Sequence, residues 1–121
     1  MAVILIIDDS PTELHLFQNM LEKNGFETLV ADSGEEGLRQ ALTVRPDCIL
    51  MDVVMPGMNG FQATRKLSQD PRTSSIPVII ITTKDQETDK IWGMRQGAVE
   101  YLVKPIREND LVAKINAVMA D

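Results

Sequence analysis

The sequence predicts a doubly wound α/β fold: a five-stranded parallel sheet with helices on its faces. Short runs of Val, Ile and other aliphatic residues alternate along the chain with longer segments of helical spacing, which is the signature of successive β-α units. Five such units fit within 121 residues, a length suited to one domain with a core of its own, so a single domain is expected over 1–121. Right-handed crossovers then leave few ways to connect the strands.

The first strand is read at Val3 to Ile7 and stops at Asp8-Asp9. Ser10 caps the first helix, Pro11 takes the first helical position, and Glu13, three residues after the cap, suggests a capping box. Leu14, Phe17 and Leu21 give that helix one apolar stripe. Thr28 to Ala31 forms the second strand, and Ser33 with Glu36 repeats the capping device for a helix whose Leu38 and Leu42 are expected to face inward. Cys48 to Met51 is the third strand. Asn59 with Gln62 opens the third helix, with Phe61, Ala63 and Leu67 expected to be buried. After the fourth strand, Val78 to Thr82, either Thr83 or Asp85 caps a helix that Gly97 ends in the left-handed conformation. Tyr101 to Val103 is the last strand, and the fifth helix carries Leu111, Ile115 and Val118.

Composition narrows the function. Hydrophobic residues at 44% and charged residues at 25% are ordinary for a soluble globular protein, whereas 4% aromatics imply an aliphatic core. A net charge of −6 without a Lys/Arg cluster argues against nucleic acid and suits a metal site or a protein partner. The lone Cys48 lies in an apolar run, so it is expected in the core, and a cytoplasmic setting fits. No apolar stretch approaches the ~20 residues a bilayer span requires, and no export signal is visible at the N-terminus.

In open α/β sheets the ligand site lies beyond the carboxyl ends of the strands, where strand order reverses. That rule selects Asp8, Asp9, Asp52, Thr82, Thr83 and Lys104. Adjacent carboxylates repel unless a cation or hydrogen-bond donors offset them. Asp8-Asp9 alone fits a solvated turn equally well, but three acids converging on one crevice call for a hard cation. Mg²⁺ fits, because it takes oxygen ligands, keeps several waters and is held by one or two carboxylates plus phosphate oxygens; Ca²⁺ would want more protein ligands. Lys104 and Thr82 offer an ammonium and a hydroxyl to phosphoryl oxygens. Asp52, at the end of the central strand and before the loop Met55-Pro56-Gly57-Met58-Asn59-Gly60, is the candidate nucleophile for an aspartyl phosphate.

Together, Ile7-Asp8-Asp9-Ser10, Met51-Asp52 with the Met55 to Gly60 loop, Ile81-Thr82 and Lys104-Pro105 resemble the receiver domains of two-component response regulators, of the single-domain CheY-like kind, over nearly the whole chain. The resemblance implies a flavodoxin-like sheet of order 2-1-3-4-5. It implies that Asp52 accepts phosphate from a CheA-like histidine kinase, that Asp9 binds Mg²⁺ directly and Asp8 through a metal-bound water, and that the backbone carbonyl of Val54 completes the ligand set. Lys104, preceding a cis proline, would pair with the phosphoryl group, while Thr82 and Tyr101 would form the switch pair. The output face would be helix 4, strand 5 and helix 5, here Glu87 to Met119, docking a separate, unidentified downstream protein. Beyond self-phosphorylation and self-dephosphorylation no enzyme activity is implied, and a monomer is expected. The segment Pro77 to Pro105 and the run Gly60-Phe61-Gln62-Ala63-Thr64-Arg65 resemble, more narrowly, the regulators of type IV pilus twitching motility. Thr83 and Val54 depart from common residues at their positions and leave the phosphoryl lifetime open, and with it the choice between signal transmission and a phosphate sink.

Rival readings are weaker. A haloacid-dehalogenase-type phosphohydrolase needs a second acid two residues beyond its nucleophile, where this chain has Val54. A flavin carrier needs a hydroxyl- and amide-rich loop after the first strand, where Asp8 and Asp9 would repel the flavin phosphate. A receiver that is never phosphorylated and acts only by docking keeps little support, since all the key residues are present. His15 is expected to be an exposed helix residue. Trp92 fits partial burial and a partner contact equally well, whereas Met94 and Met119 are expected to serve packing.

Overall fold

A computed structural model describes residues 1–120. Strands β1 (Val3–Ile7), β2 (Glu27–Ala31), β3 (Cys48–Met51), β4 (Val78–Thr82) and β5 (Glu100–Val103) alternate with helices α1 (Pro11–Lys23), α2 (Gly34–Val44), α3 (Gly60–Gln69), α4 (Glu87–Arg95) and α5 (Glu108–Met119). All strand pairs are parallel and the order is β2-β1-β3-β4-β5, the expected doubly wound arrangement. Strand order reverses between β1 and β3, which are neighbours.

Alternation along each strand builds two apolar layers. Ile4 and Ile6 of β1 join Leu50, Ile79 and Ile81 on the face covered by α1 (Leu14, Phe17, Leu21) and α5 (Leu111, Ile115). Leu5 and Ile7 join Ile49, Met51 and Ile80 on the opposite face, against Ala41 of α2 and Ala63 and Leu67 of α3. Because both faces are covered, β1, β3 and β4 are apolar almost without interruption, as buried parallel strands must be. Cys48 lies in this core, fully buried, and burial pushes its thiol up to about 12. No helix among the described residues is long and apolar enough to cross a membrane.

Local expectations are corrected in several places. β2 and β5 each begin one residue earlier than read, at Glu27 and Glu100. Ser10 accepts the Glu13 N–H as expected, but the Ser10 N–H donates to Asp8 Oδ1 at 2.9 Å, so Glu13 does not close a capping box. In α2, Ser33 likewise accepts the Glu36 N–H, while the Glu36 carboxylate turns to Arg39 and Gln40. Of the three Ser/Asn caps read in the sequence, Asn59 with Gln62 is the pair that exchanges both bonds, each 2.9 Å. The cap of α4 is Gln86, not Thr83 or Asp85, and its N–H donates to Asp89 Oδ2 at 3.3 Å. Leu42 is 37% exposed, because α2 approaches β1 through Gly37, where a Cβ would collide with Ile7; the buried stripe is Gly34, Gly37 and Ala41, and the leucines flank it. Met94 is exposed rather than packed, whereas Met119 and Val118 do lie against the core. His15 is exposed. Gly97, at φ +114°, ends α4 as read.

Gly60 bears directly on the site. A Cβ there would overlap the Asp52 carbonyl oxygen and lie 2.7 Å from Val53 Cα, while the Gly60 N–H donates to the Val53 carbonyl at 2.9 Å. The start of α3 therefore rests on the backbone that follows β3. Urea denaturation should find Gly60→Ala destabilised by about 3 kcal/mol or more, since backbone itself has to move. Gly25→Ala, at φ +89° with open space around it, should lose only the left-handed penalty of about 1–2 kcal/mol.

Candidate functional site

Parallel register brings the acids together. Ile7 lies opposite Met51, so the residues that follow, Asp8 and Asp52, leave the sheet side by side. Backbone bonds extend the ladder past the strand ends: the Asp8 N–H donates to the Ala31 carbonyl at 3.1 Å, the Asp52 N–H to Ile7 at 2.9 Å and the Lys104 N–H to Thr82 at 2.8 Å. Each bears a charged side chain whose root is thereby held by the sheet.

Asp8, Asp9 and Asp52 each offer an oxygen, and these atoms lie within 4.8 Å of one another. Asp8 is buried, Asp52 half-buried and Asp9 exposed, so the cluster opens to solvent on one side. Lys104 Nζ reaches the same place, 3.1 Å from Asp8 Oδ2 and 3.8 Å from Asp52 Oδ1. A third carboxylate, Glu13 on the first turn of α1, lies 2.9 Å from Nζ, and the ammonium sits 5.9 Å from the centre of the Phe17 ring. Burial alone would lower the Lys104 pKa, but the Glu13 contact, followed by Asp52 and Asp8, outweighs it and holds the ammonium above the ordinary lysine range. Asp52 is pushed up to about 6, first by burial and then by the Asp8 charge, with Lys104 only partly offsetting both. One ammonium does not neutralise this set of carboxylates. The donor chemistry therefore fits a hard divalent cation, with Asp8, Asp9 and Asp52 as side-chain oxygens. Val54 follows Asp52 closely and turns its side chain to solvent, 60% exposed.

Thr82 and Tyr101 converge on a different atom group. Thr82 is fully buried and its Oγ1 accepts the Lys84 N–H at 3.3 Å; the Tyr101 hydroxyl donates to the Lys84 carbonyl at 2.8 Å. The two side chains thus hold opposite sides of one residue in the β4–α4 loop. Half-buried, Tyr101 is raised to about 12 by burial and then by Asp89 and Asp85. Its ring packs where Gly93 leaves space, a Cβ at Gly93 coming within 2.9 Å of Cδ2. Thr83 is exposed and lines a groove of about 310 Å³ with Leu16, Phe17, Met20 and Ile106 beside Lys104. The Lys104–Pro105 peptide is cis.

Asp8, Asp9, Asp52, Thr82, Thr83 and Lys104 therefore lie at or just beyond the carboxyl ends of the strands, whereas Tyr101 sits within β5, opposite Ile80, and reaches the β4–α4 loop through its hydroxyl. Gly93 and the Glu13 contact were missed. In the sequence Glu13 reads only as a cap partner of Ser10, and no local spacing links it to Lys104 at the far end of the chain.

The raised Asp52 pKa makes stability pH-dependent. The folded state retains this proton to about pH 6, whereas the unfolded carboxylate releases it near 3.8, so the folded state binds more protons between these values. Stability of the metal-free protein should consequently fall as pH rises through that window. Thermal melts at pH 7 in chelator should show Asp52→Asn melting several degrees above wild type, corresponding to about 1–3 kcal/mol. Added Mg²⁺ should narrow the gap by stabilising wild type.

Comparison with known proteins agrees with this arrangement. The response regulator receiver domain model matches residues 4–116. Protein PilH of Pseudomonas aeruginosa is 60% identical over 120 residues, covering 99% of both chains. The chain spans about half or less of the length of other curated relatives, at 34–40% identity. Among solved structures, the Vibrio cholerae chemotaxis protein CheY4 superposes with a TM-score of 0.92 at 31% identity, each chain 98% covered. The receiver domain of sensor histidine kinase PA1611 from P. aeruginosa, solved with magnesium coordinated in its active-site cleft, has a TM-score of 0.92 at 26% identity, with 99% of this chain and 98% of that one covered. With residues 4–116 matched by the receiver domain model and 60% identity to PilH over 99% of both chains, the chain belongs to the response regulator receiver domain family.

Proposed function

We propose that residues 1–121 form one receiver that works as a phosphorylation-controlled switch, with Asp52 accepting a phosphoryl group from a histidine kinase. The observation that carries this reading is the placement of Asp52 at the end of a central strand, among Asp8 and Asp9 and 3.8 Å from the Lys104 ammonium. An Asp52 carboxylate oxygen attacks the phosphorus of a phosphohistidine; the P–O bond forms as the P–N bond breaks, and the imidazole leaves with the electron pair. Asp8, Asp9, Asp52 and the Val54 carbonyl would hold Mg²⁺, which supplies charge neutralisation for the phosphoryl oxygens when bound. Lys104 supplies a further positive charge, its ammonium 3.8 Å from Asp52 Oδ1.

Thr82 accepts a hydrogen bond from Lys84, which leaves its own O–H free to donate to a phosphoryl oxygen. Movement of that hydroxyl bears on Lys84, and Lys84 is also the partner of Tyr101. Phosphorylation thus biases the population of one seating of the loop and ring over another. The reading is carried outward along α4, β5 and α5, where Ile91, Trp92 and Met94 are exposed, each 45–48%. Apolar side chains of this size on one short helix suit a protein partner.

Identity of 60% to PilH over 99% of both chains supports a place in pilus-linked signalling; a chemotaxis-like system with a CheA-like kinase as donor and cytoplasmic, monomeric action complete the proposal. Neither nucleic acid nor membrane insertion enters this reading. Self-phosphorylation and self-dephosphorylation are its only chemistry.

Mass spectrometry after treatment with a small phosphodonor and Mg²⁺ should find one phosphoryl adduct on Asp52, absent from Asp52→Asn. Its absence from wild type overturns the reading. Lys104→Ala should slow adduct formation by about 10²-fold, the usual loss when one charge-stabilising donor is removed. Gly93→Val should still take the phosphoryl group but lose the accompanying change in Trp92 fluorescence, because the added side chain fills the space of the Tyr101 ring.

A further inference from the structure

Lys104 has carboxylate partners both inside and outside the strand-end cluster. Of its three carboxylate contacts the shortest is to Glu13, at 2.9 Å, followed by Asp8 at 3.1 Å; the 3.8 Å separation from Asp52 is too long for a hydrogen bond. Phe17 lies one turn beyond Glu13 on the same face of α1, and its ring is 5.9 Å from the ammonium. Two side chains of α1 thus form a second seat for the lysine, outside the acid cluster. Glu13 is free for this because Asp8 Oδ1 takes the Ser10 N–H, the group that a capping-box glutamate would otherwise bind. Only 14% of the Lys104 side chain and 30% of the Glu13 side chain are exposed, so solvent screens the pair incompletely.

We propose that Glu13 is a positioning residue that holds the Lys104 ammonium back from the strand-end carboxylates, favouring cation entry among them and opposing capture of an anionic phosphoryl group at Asp52. The second half rests on Asp52 as the phosphoacceptor. Were Glu13 neutral, Lys104 would lose its shortest partner, and the remaining carboxylates, Asp8 and Asp52, would draw the ammonium inward. There it competes with a divalent cation for the same oxygens. Once the cation is seated, the inward ammonium pairs more closely with an incoming anion. The direct effect of the Glu13 charge has the same signs, since a carboxylate beside the crevice attracts cations and repels phosphoryl oxygens.

Isothermal calorimetry of Mg²⁺ binding to wild type, Glu13→Gln and Glu13→Asp, followed by fluorine NMR titration of beryllofluoride at saturating Mg²⁺, tests this. Glu13→Gln should bind Mg²⁺ about three- to tenfold more weakly and beryllofluoride about three- to tenfold more tightly. Glu13→Asp, with the charge retained on a shorter arm, should fall between. A merely structural role for Glu13 would weaken both ligands together or leave both within about twofold of wild type, and either result overturns the proposal. Wild type that binds Mg²⁺ but no beryllofluoride would instead overturn the phosphoacceptor reading and the anion half of the proposal. In that case weaker Mg²⁺ binding by Glu13→Gln supports the outward hold, and unchanged binding overturns it.

Discussion

The register that sets Ile7 beside Met51 forces Asp8 and Asp52 to leave the sheet as neighbours, and the repulsion between them has to be offset. Lys104, from the end of β5, provides the offset within the chain. It crosses the end of the sheet to touch Asp8, Asp52 and Glu13, and so ties α1 and the ends of β1, β3 and β5 to one ammonium. The sheet has no freedom to relieve the crowding, because the backbone bonds of Asp8, Asp52 and Lys104 continue its ladder. A raised Asp52 pKa is the residual expression of that constraint.

Such a cluster is useful because it is under-neutralised. Low local dielectric makes each charge costly when unpaired and strong when paired. The acids have the donor chemistry for a divalent cation, and under the proposed function the ammonium and the buried Thr82 hydroxyl would meet a transferred anion. The backbone around the cluster is close-packed rather than loose: Gly60 brings α3 against the Asp52 carbonyl, and Gly37 brings α2 against Ile7. Close-packed backbone thus lies beneath the carboxylates, and in the β4–α4 loop Lys84 is gripped by Thr82 and Tyr101.

Membership of the receiver family and PilH-like identity over the full matched length bring expectations about signalling, while the side chains describe how such signalling would work in this chain. Exposed Ile91, Trp92 and Met94 lie on the helix that begins just beyond that gripped loop. Loop, ring and helix surface are therefore contiguous.

Strand and helix alternation, the buried apolar runs and the strand-end positions of Asp8, Asp9, Asp52, Thr82 and Lys104 were all determined by the sequence itself, because side-chain period and the parallel α/β architecture leave little else possible. What only tertiary structure decided are the competitions between partners. Glu13 had two suitors, the Ser10 N–H one turn back and a lysine from the far end of the chain, and no local rule ranks them. Leu42 carries the right residue type at the right helical period, yet lies outward because glycine and alanine let α2 sit too close to β1 for a leucine between them. Gln86 rather than Thr83 or Asp85 caps α4, since Thr83 and Asp85 fall in the loop that Thr82 and Tyr101 hold to the sheet. Each outcome depends on distances between segments far apart in the chain, which periodicity and capping preference do not encode.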